Sequence, residues 1–244
     1  RYFLRDEKSV SPAAAINFAL TQCRGEHVCF MIDGARIVTP GVLQYSLMAC
    51  KITPDALVVV PGYHLGPLEH HLLDESNYSE KREQTDLADA GWPSNGYALF
   101  SISCYSGGNR HGVFHPFMES NCLVVRKETI FSIGGADERF DMPGGGALNL
   151  YIYRKLASRS ETVVFVLAGE GSFHQQHGGV TTSPVEAREA KLIRQRDQLN
   201  SFLEAPFKSP CIDPILLGKI PGSAMNYLKF SCESGLNRLQ RFQE

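Results

Sequence analysis

The sequence lacks a hydrophobic run long enough to cross a bilayer, and it shows no signal peptide. A transmembrane helix needs about 20 consecutive apolar residues. Every apolar stretch of the 244-residue chain is shorter than that. We therefore expect a cytoplasmic protein without a transmembrane segment.

The chain also lacks a pronounced charge of one sign. Its 24 Lys and Arg residues nearly balance its 26 Asp and Glu residues, which leaves a formal net charge of −2. Domains that bind nucleic acid or anionic membranes usually carry a basic surface. The composition therefore predicts neither kind of partner.

Paired-cysteine motifs are missing as well. The seven cysteines are scattered along the chain, and no two of them form a CxxC pair. Disulfide scaffolds are typical of short secreted chains with an even cysteine count. We interpret the cysteines as reduced thiols that pack as small hydrophobic side chains.

What the sequence does contain is an alternation of apolar runs and helical segments. The runs at 27–33, 56–63 and 162–171 predict buried strands, and Ser11-Pro12 and Pro40 each begin a predicted helix. Hydrophobic residues make up 43% of the chain, enough for one sizeable core. The order predicts an α/β fold with a mostly parallel sheet flanked by helices.

The pattern also suggests a domain organisation. Residues 64–118 interrupt the alternation with a charged stretch and a loop-like stretch, which we interpret as an insertion that forms a pocket wall or a lid. A capping box at Ser183–Glu186 begins a long charged helix. The sequence thus predicts one domain over residues 1–205 and a C-terminal helical extension over residues 206–244.

Three segments together resemble the family 2 glycosyltransferases of the GT-A fold. Residues 15–43 read as a helix, a strand ending in an acidic residue and a proline-started helix. Residues 121–141, NCLVVRKETIFSIGGADERFD, are similar to a strand, an arginine and the family's GGFDE turn. The helix ending in Tyr153-Arg154-Lys155-Leu156 stands where the family has its acceptor-side helix.

This resemblance implies a GT-A-like three-layer sandwich and a definite chemistry. The family transfers a sugar from a nucleotide-diphosphate donor to a hydroxyl of a carbohydrate or other acceptor, and inversion is the expected outcome. Residues 1–10, RYFLRDEKSV, match a part of that fold that follows its first strand and helix. The resemblance therefore also implies that the family's first strand and helix are absent from this sequence.

The donor site implied by the resemblance lies at Asp33-Gly34-Ala35, where the family has a DXD motif. The family's carboxylates hold a divalent cation, Mn²⁺ or Mg²⁺, because hard cations prefer oxygen ligands and neutralise the leaving diphosphate. Here Asp33 is retained and Ala35 replaces the second carboxylate. Arg36 is expected to bind phosphate as a fixed cation. The alternative is that Asp33 is only a solvated strand end.

Histidines after the predicted strand 162–171 are candidates for the same site. Because some GT-A enzymes use a late histidine as a metal ligand, we predict that His177 binds the cation with Asp33 and that His174 contacts the donor. The alternative is that both histidines only make loop hydrogen bonds. His70-His71 lies in a charged stretch and is interpreted as part of a solvent-exposed helix face.

The general base is altered relative to the family. The family's acidic pair falls on Gly146-Ala147 and a later aspartate falls on Asn149, and none of these side chains accepts a proton. The nearby Asp137, Glu138 and Asp141 are the predicted catalytic substitutes. Their alternative role is to fix the turn by hydrogen bonds to backbone amides.

Two functional hypotheses therefore stay open. The chain is either an active, divergent glycosyltransferase or a glycosyltransferase-like binding module that has lost catalysis. His111 and His115, followed by Glu119, are weaker candidates for contacts with an acceptor. A Rossmann-type nucleotide-binding domain is disfavoured, since no G-x-G-x-x-G turn follows a first strand.

Overall fold

A computed structural model describes residues 2–31, 35–73, 78–119, 121–177 and 185–241. The helices in these ranges are α1 (Ala13–Gln22), α2 (Val42–Ile52), α3 (Glu80–Ala90), α4 (Lys127–Ser132), α5 (Leu148–Ala157), α6 (Val185–Ser201) and α7 (Met225–Arg241). The strands are β1 (His27–Met31), β2 (Arg36–Val38), β3 (Ala56–Val59), β4 (Gly62–Leu65), β5 (Ser103–Tyr105), β6 (Cys122–Arg126), β7 (Val163–Val166), β8 (Ser172–His174) and β9 (Ile215–Leu216).

The strands form two mixed sheets, so the expectation of a mostly parallel sheet is wrong. One sheet has the order β1-β6-β3-β7-β9, and the other has the order β2-β8-β4-β5. Strand β6 runs antiparallel to both β1 and β3, whereas β7 runs parallel to β3 and β9. The chain reaches β6 after a long excursion through β4, α3 and β5. The connection from β3 to β6 is therefore not the single crossover helix that joins two parallel neighbouring strands.

The predicted strand at 56–63 is two strands in different sheets. Pro61 has no backbone N–H to donate to a sheet ladder, and β3 ends before it and β4 begins after it. The predicted strand at 162–171 is strand only over β7, and β8 begins at Ser172, directly after the predicted range. The parallel pairs β3–β7 and β4–β8 thus carry both chain segments from the larger sheet into the smaller one.

Helices cover both faces of the five-stranded sheet. Alternate residues of β3 point to opposite faces. Leu57 and Val59 belong to a core that includes buried residues of α1, α4, α5 and α6. Val58 belongs to a second core with Val42 and Ala49 of α2. The coarse prediction of an α/β fold with helices around sheets is confirmed.

A third core lies against the four-stranded sheet. Tyr63 of β4 is fully buried and stacks between Tyr105 and Phe173, with ring centroids 4.9 Å away in each case. Tyr227 of α7 contacts the same ring edge-on at 5.0 Å. The last part of the chain therefore contributes β9 to one sheet and α7 to the core of the other. None of the helices in the ranges given above combines the length and apolar character that a membrane crossing requires.

Candidate functional site

Two of the predicted donor-site residues meet between β2 and β8. Arg36 and His174 are directly opposite each other in these antiparallel strands. The Arg36 guanidinium also donates to the Ser172 hydroxyl at 3.5 Å. Asp33 lies outside the described residues, but Ala35, shortly after it in sequence, accepts a hydrogen bond at 2.8 Å from the backbone N–H of Gln175. The segment that follows Asp33 is therefore fixed beside the histidine-bearing segment.

Four histidines form a connected chain next to Arg36. The Nδ1 atoms of His70 and His174 are 3.2 Å apart, and the Nε2 atoms of His174 and His177 are 3.0 Å apart. His70 Nε2 donates to the Leu65 carbonyl at 2.8 Å, and the His70 backbone N–H donates to His64 Nδ1 at 3.1 Å. We call His64, His70, His174 and His177 the histidine chain.

The inner members of the histidine chain are held in the neutral form. Burial lowers the pKa of His64 to about 2, and the neighbouring imidazoles and the positive charge of Arg36 act in the same direction. Burial likewise lowers the pKa of His70 to about 4, against the opposing effect of its hydrogen bond to Leu65. Two neutral imidazoles therefore lie beside the Arg36 cation at neutral pH.

The expectation that His70-His71 forms a solvent-exposed face is wrong for His70, which is only 1% exposed. The chain turns back over β4 through a short 3₁₀ turn at His70–Leu72. This turn packs the His70 ring against His64, with centroids 4.3 Å apart. The informative signal was His64, a histidine inside an apolar strand sequence. His71 Nδ1 lies 3.5 Å from the Glu69 carboxylate.

Helix α3 fixes the segment that carries the outer histidines. Glu83 of this helix is 3% exposed, and its carboxylate accepts the backbone N–H of Gln176 at 2.6 Å and the side-chain amide of Gln175 at 3.5 Å. Burial raises the pKa of Glu83, while these two bonds lower it. The region 64–118 thus supplies His64, His70 and the anchor of the His174–His177 segment.

A carboxylate that was not among the predicted catalytic residues also lies near Arg36. The side-chain amide of Asn149 donates to Glu119 Oε2, and it also donates to Asn121 Oδ1 at 3.1 Å. Burial raises the pKa of Glu119, and the bond from Asn149 and the positive charge of Arg36 lower it. Asn149 is the position where the resemblance places a family aspartate. Glu119 therefore presents a carboxylate beside the side chain that replaces that aspartate.

The predicted catalytic residues Asp137, Glu138 and Asp141 lie in a different environment. Asp137 forms an ion pair with Arg139 at 2.6 Å and accepts the Arg139 backbone N–H at 3.1 Å. Glu138 and Asp141 each accept a hydrogen bond at 2.9 Å from an amide side chain, on α1 and α6 respectively. The Arg139 guanidinium lowers the pKa of Asp137, which makes it a weaker base.

These acidic residues and the histidine chain do not share contacts within the described ranges. Asp137 and Glu138 line an open cavity of about 400 Å³ together with Tyr151 and Lys155. The bond from the Arg139 backbone to Asp137 is the turn-fixing role that the sequence offered as an alternative. Sequence proximity to the glycine run at 144–146 suggested a shared site, but the fold directs these side chains towards α1 and α6.

Among the described residues, three histidines lie close enough together to be candidate ligands of a metal ion. His64, His70 and His174 each bring one ring nitrogen to within 4.8 Å of the others. However, His64 Nδ1 accepts the His70 backbone N–H, so the proton of the neutral His64 ring is on Nε2. Imidazole suits Zn²⁺ and its neighbours, whereas Mg²⁺ and Mn²⁺ prefer oxygen. Asp33, the oxygen ligand expected from the sequence, lies outside the described residues.

Comparison with models of known protein families finds no match for this chain, and a search of curated proteins finds none either. The function is therefore inferred from the geometry around Arg36 and from the resemblance of residues 15–43 and 121–141 to the GT-A enzymes.

Proposed function

We propose that this protein is a glycosyltransferase that transfers a sugar from a nucleotide-diphosphate donor to an acceptor hydroxyl. The observation that carries the proposal is the convergence of a cation, imidazoles and a partly buried carboxylate, contributed by Arg36, the histidine chain and Glu119. These are the groups that a diphosphate leaving group and an acceptor hydroxyl require.

Arg36 is the proposed binding group for the donor diphosphate. A guanidinium binds phosphate oxygens in a bidentate manner and keeps its charge at every physiological pH. Arg36 is half-buried, so water screens its charge less than it would screen a surface arginine. Its position opposite His174 places the imidazole N–H groups on the same side of β2 and β8 as potential donors to the phosphates.

Glu119 is the proposed general base, in place of Asp137, Glu138 and Asp141. A carboxylate whose pKa is raised is a stronger base near neutral pH, and burial has this effect on Glu119. Asn149 orients the carboxylate by donating to Oε2, which leaves Oε1 for the acceptor.

The proposed reaction is a direct displacement. The acceptor oxygen attacks the anomeric carbon, the bond from that carbon to the diphosphate oxygen breaks, and Glu119 takes the proton from the acceptor hydroxyl. Arg36 stabilises the negative charge that appears on the departing nucleoside diphosphate. We expect inversion at the anomeric carbon from the resemblance to the family.

The second candidate function is a donor-binding module without catalysis. Ala35 and Gly146-Ala147 stand where the resemblance places carboxylates, and this favours a loss of the family's metal and base chemistry. Such a module would still bind a nucleotide-sugar at Arg36, but it would not consume it.

The test is a panel of UDP-, GDP- and dTDP-sugars with sugar acceptors, with calorimetric donor binding and nucleoside diphosphate release as readouts. Glu119→Gln should lower transfer about 10²–10⁴-fold, the usual contribution of a general base, and leave donor affinity unchanged. Arg36→Gln should weaken donor binding by about tenfold or more, the equivalent of about 1.4 kcal/mol for one lost charged contact.

Glu204→Gln, at an exposed position of the chain, is the matched control and should leave both readouts unchanged. Donor binding without turnover would support the binding module instead. Absence of binding and turnover with every donor would refute both candidates. A loss of transfer in Asp137→Asn but not in Glu119→Gln would return the base to the residue predicted from sequence.

A further inference from the structure

Two of the seven cysteines lie side by side in the five-stranded sheet. Cys29 of β1 is directly opposite Val124 of β6, and Met31 is directly opposite Cys122. Because side chains alternate along a strand, Cys29 and Cys122 are on the same face of the sheet as diagonal neighbours. The Cys122 thiol hydrogen bonds to the Cys29 sulfur. The pairing of β1 with β6 thus joins two thiols that are far apart in sequence.

The two thiols differ in their access to solvent. Cys29 is exposed, whereas Cys122 is 1% exposed and belongs to the core that includes Val42 and Ala49 of α2. Water stabilises a thiolate at Cys29, and burial disfavours one at Cys122. The hydrogen bond from Cys122 acts in the same direction, since it lowers the pKa of Cys29 against a smaller opposing effect of partial desolvation. Cys29 is therefore the nucleophile of the pair, and Cys122 is the thiol that stays protonated.

We infer that Cys29 and Cys122 form a dithiol that a hydroperoxide oxidises to a disulfide. With hydrogen peroxide, the Cys29 thiolate attacks one oxygen, the O–O bond breaks, and the released hydroxide takes up a proton to give water. The Cys122 sulfur then attacks the sulfur of the Cys29 sulfenic acid, and its thiol proton leaves with the displaced hydroxide as a second water. Two thiols are oxidised, and one peroxide is reduced to two waters.

The position of the pair in the sheet makes the disulfide reversible. Diagonal neighbours are typically about 7–8 Å apart, a little beyond the Cα separation of about 4.4–6.8 Å that disulfides have. Within the described ranges β1 is at the edge of its sheet, whereas β6 lies between β1 and β3. The bond therefore forms with a shift of β1. A disulfide that closes under strain is easily reduced, which is typical of regulatory rather than structural bonds.

The pair is next to the segment that carries the proposed general base. Cys122 follows Asn121, whose side chain accepts a hydrogen bond at 3.1 Å from Asn149, the residue that also donates to Glu119. A shift between β1 and β6 should displace this arrangement. We expect oxidised protein to lose transfer activity and a thiol reductant to restore it. This consequence rests on the proposed function, whereas the thiol pair does not.

Peptide mapping tests the pair without a sugar donor. Reduced protein is freed of reductant, treated with hydrogen peroxide, alkylated in denaturant and digested with trypsin. Cleavage after Lys and Arg places each of the seven cysteines in a separate peptide, with Cys29 in 25–36 and Cys122 in 111–126. Mass spectrometry should show these two peptides linked, with a mass two hydrogen atoms below their sum. Treatment with a thiol reductant before alkylation should release both.

Variants of Cys122 separate its two roles. Cys122→Ser keeps a donor to Cys29 but cannot form the bond, so peroxide should leave a sulfenic acid at Cys29 that dimedone traps. Cys122→Ala also removes the donor, and alkylation of Cys29 by iodoacetamide should be about two- to tenfold slower than in Cys122→Ser, the equivalent of one hydrogen bond. Cys211→Ser, at another exposed thiol, is the matched control and should form the disulfide normally. Circular dichroism confirms that each variant is folded.

A linked peptide that joins Cys29 to a different cysteine would overturn the inference, as would peroxide treatment that leaves both thiols open to alkylation. Equal alkylation rates in Cys122→Ser and Cys122→Ala would show that Cys122 does not activate Cys29. A protein that forms the disulfide but transfers no sugar when reduced would refute the proposed function and leave the thiol pair standing.

Discussion

At the scale of single residues, Glu119 places a carboxylate beside Asn149. The resemblance puts a family aspartate at the position of Asn149. Asn149 donates to Glu119, so the two side chains occupy one place in the site although they are far apart in sequence. A sequence alignment matches positions along the chain and does not register a carboxylate that comes from another segment. A double substitution that swaps the carboxylate and the amide between residues 119 and 149 tests this arrangement.

We expect the pair Glu119→Gln and Asn149→Asp to recover part of the transfer activity that Glu119→Gln alone loses. The double variant restores one carboxylate and one amide in swapped positions, so a base is again within reach of the acceptor. Recovery of about tenfold over the single variant corresponds to about 1.4 kcal/mol of restored transition-state binding. Initial rates of nucleoside diphosphate release measure it, and a double variant no faster than Glu119→Gln would contradict a shared position.

His70 makes the stability of the protein depend on pH. The folded state holds the pKa of His70 at about 4, below the value of about 6.5 in an unfolded chain. The unfolded state therefore binds more protons as the pH falls below about 6.5, and the contribution of His70 to stability is lost progressively between there and about pH 4.

In EDTA-treated protein, we expect this residue alone to lower the free energy of unfolding by about 2 kcal/mol between pH 7.5 and pH 5. Urea denaturation at the two pH values measures the change. His70→Asn lacks the titrating group and should lose about 2 kcal/mol less over the same interval. Identical pH dependence in the two proteins would show that His70 is not buried as a neutral ring.

At the scale of elements, a fully buried carboxylate supports the start of α2. Glu170 is 0% exposed, accepts the backbone N–H of Gly41 at 3.1 Å and accepts the Tyr97 hydroxyl at 2.9 Å. Gly41 is the residue before the first turn of α2, where the backbone N–H groups have no partner within the helix. A negative charge at this end of a helix is also favourable to the helix dipole.

Glu170→Ala should therefore destabilise the protein by about 2–4 kcal/mol, since it leaves the buried Gly41 N–H and the partly buried Tyr97 hydroxyl without their acceptor. Glu170→Gln retains one acceptor oxygen and should cost less. Chemical denaturation followed by circular dichroism gives the values, with the exposed Glu204→Ala as the control. A cost below about 0.5 kcal/mol for Glu170→Ala would place it among ordinary surface substitutions and contradict its role.

Helices were more predictable from the sequence than sheet pairing. Pro12 and Pro40 indicated the starts of α1 and α2 to within two residues, although Pro12 is the N-cap of α1 and Pro40 lies just before the N-cap of α2. The antiparallel placement of β6 between β1 and β3 was not predictable, since it depends on pairing across long stretches of sequence. The division at Pro61 was predictable in principle, because a proline inside an apolar run argues against a continuous central strand.

At the scale of the whole molecule, the last part of the chain is tied to the rest through α7. Ser231 is 0% exposed, and its hydroxyl accepts the Val113 backbone N–H at 3.1 Å and lies 3.0 Å from the Tyr105 hydroxyl. Gly112 has a φ of +81°, and a Cβ there would lie 2.7 Å from the Ser231 Cα. This close approach requires glycine, so the turn at Gly112 is fitted to the helix.

We expect Tyr227→Ala to destabilise the protein by about 3 kcal/mol, the lower end of the usual cost of truncating a core aromatic ring, because Tyr227 is half-buried. Tyr227→Phe keeps the ring and loses the hydrogen bonding of its hydroxyl to the carbonyls of Ser103 and Phe100, and it should cost about 1 kcal/mol. Loss of α7 in Tyr227→Ala while the remaining amides keep their hydrogen-exchange protection would show instead that the helix is a separate unit.

The candidate site is the part of the molecule that the sequence predicted least completely. Arg36, His174 and His177 could be proposed from the sequence because they follow apolar runs that predict strands. Glu119 was only a weaker candidate for acceptor contacts, and His64 and His70 were not identified. The 3₁₀ turn at His70–Leu72 and the contact of Glu119 with Asn149 arise from tertiary packing. Contacts between distant segments depend on tertiary packing and leave little local signal in the sequence.

The most direct test of the donor site is a crystal structure of the full chain with UDP. We expect diphosphate oxygens within hydrogen-bonding distance of the Arg36 guanidinium, on the side of β2 and β8 that carries His174. A diphosphate bound instead in the cavity lined by Asp137 and Lys155, with Arg36 and the histidines uninvolved, would contradict it.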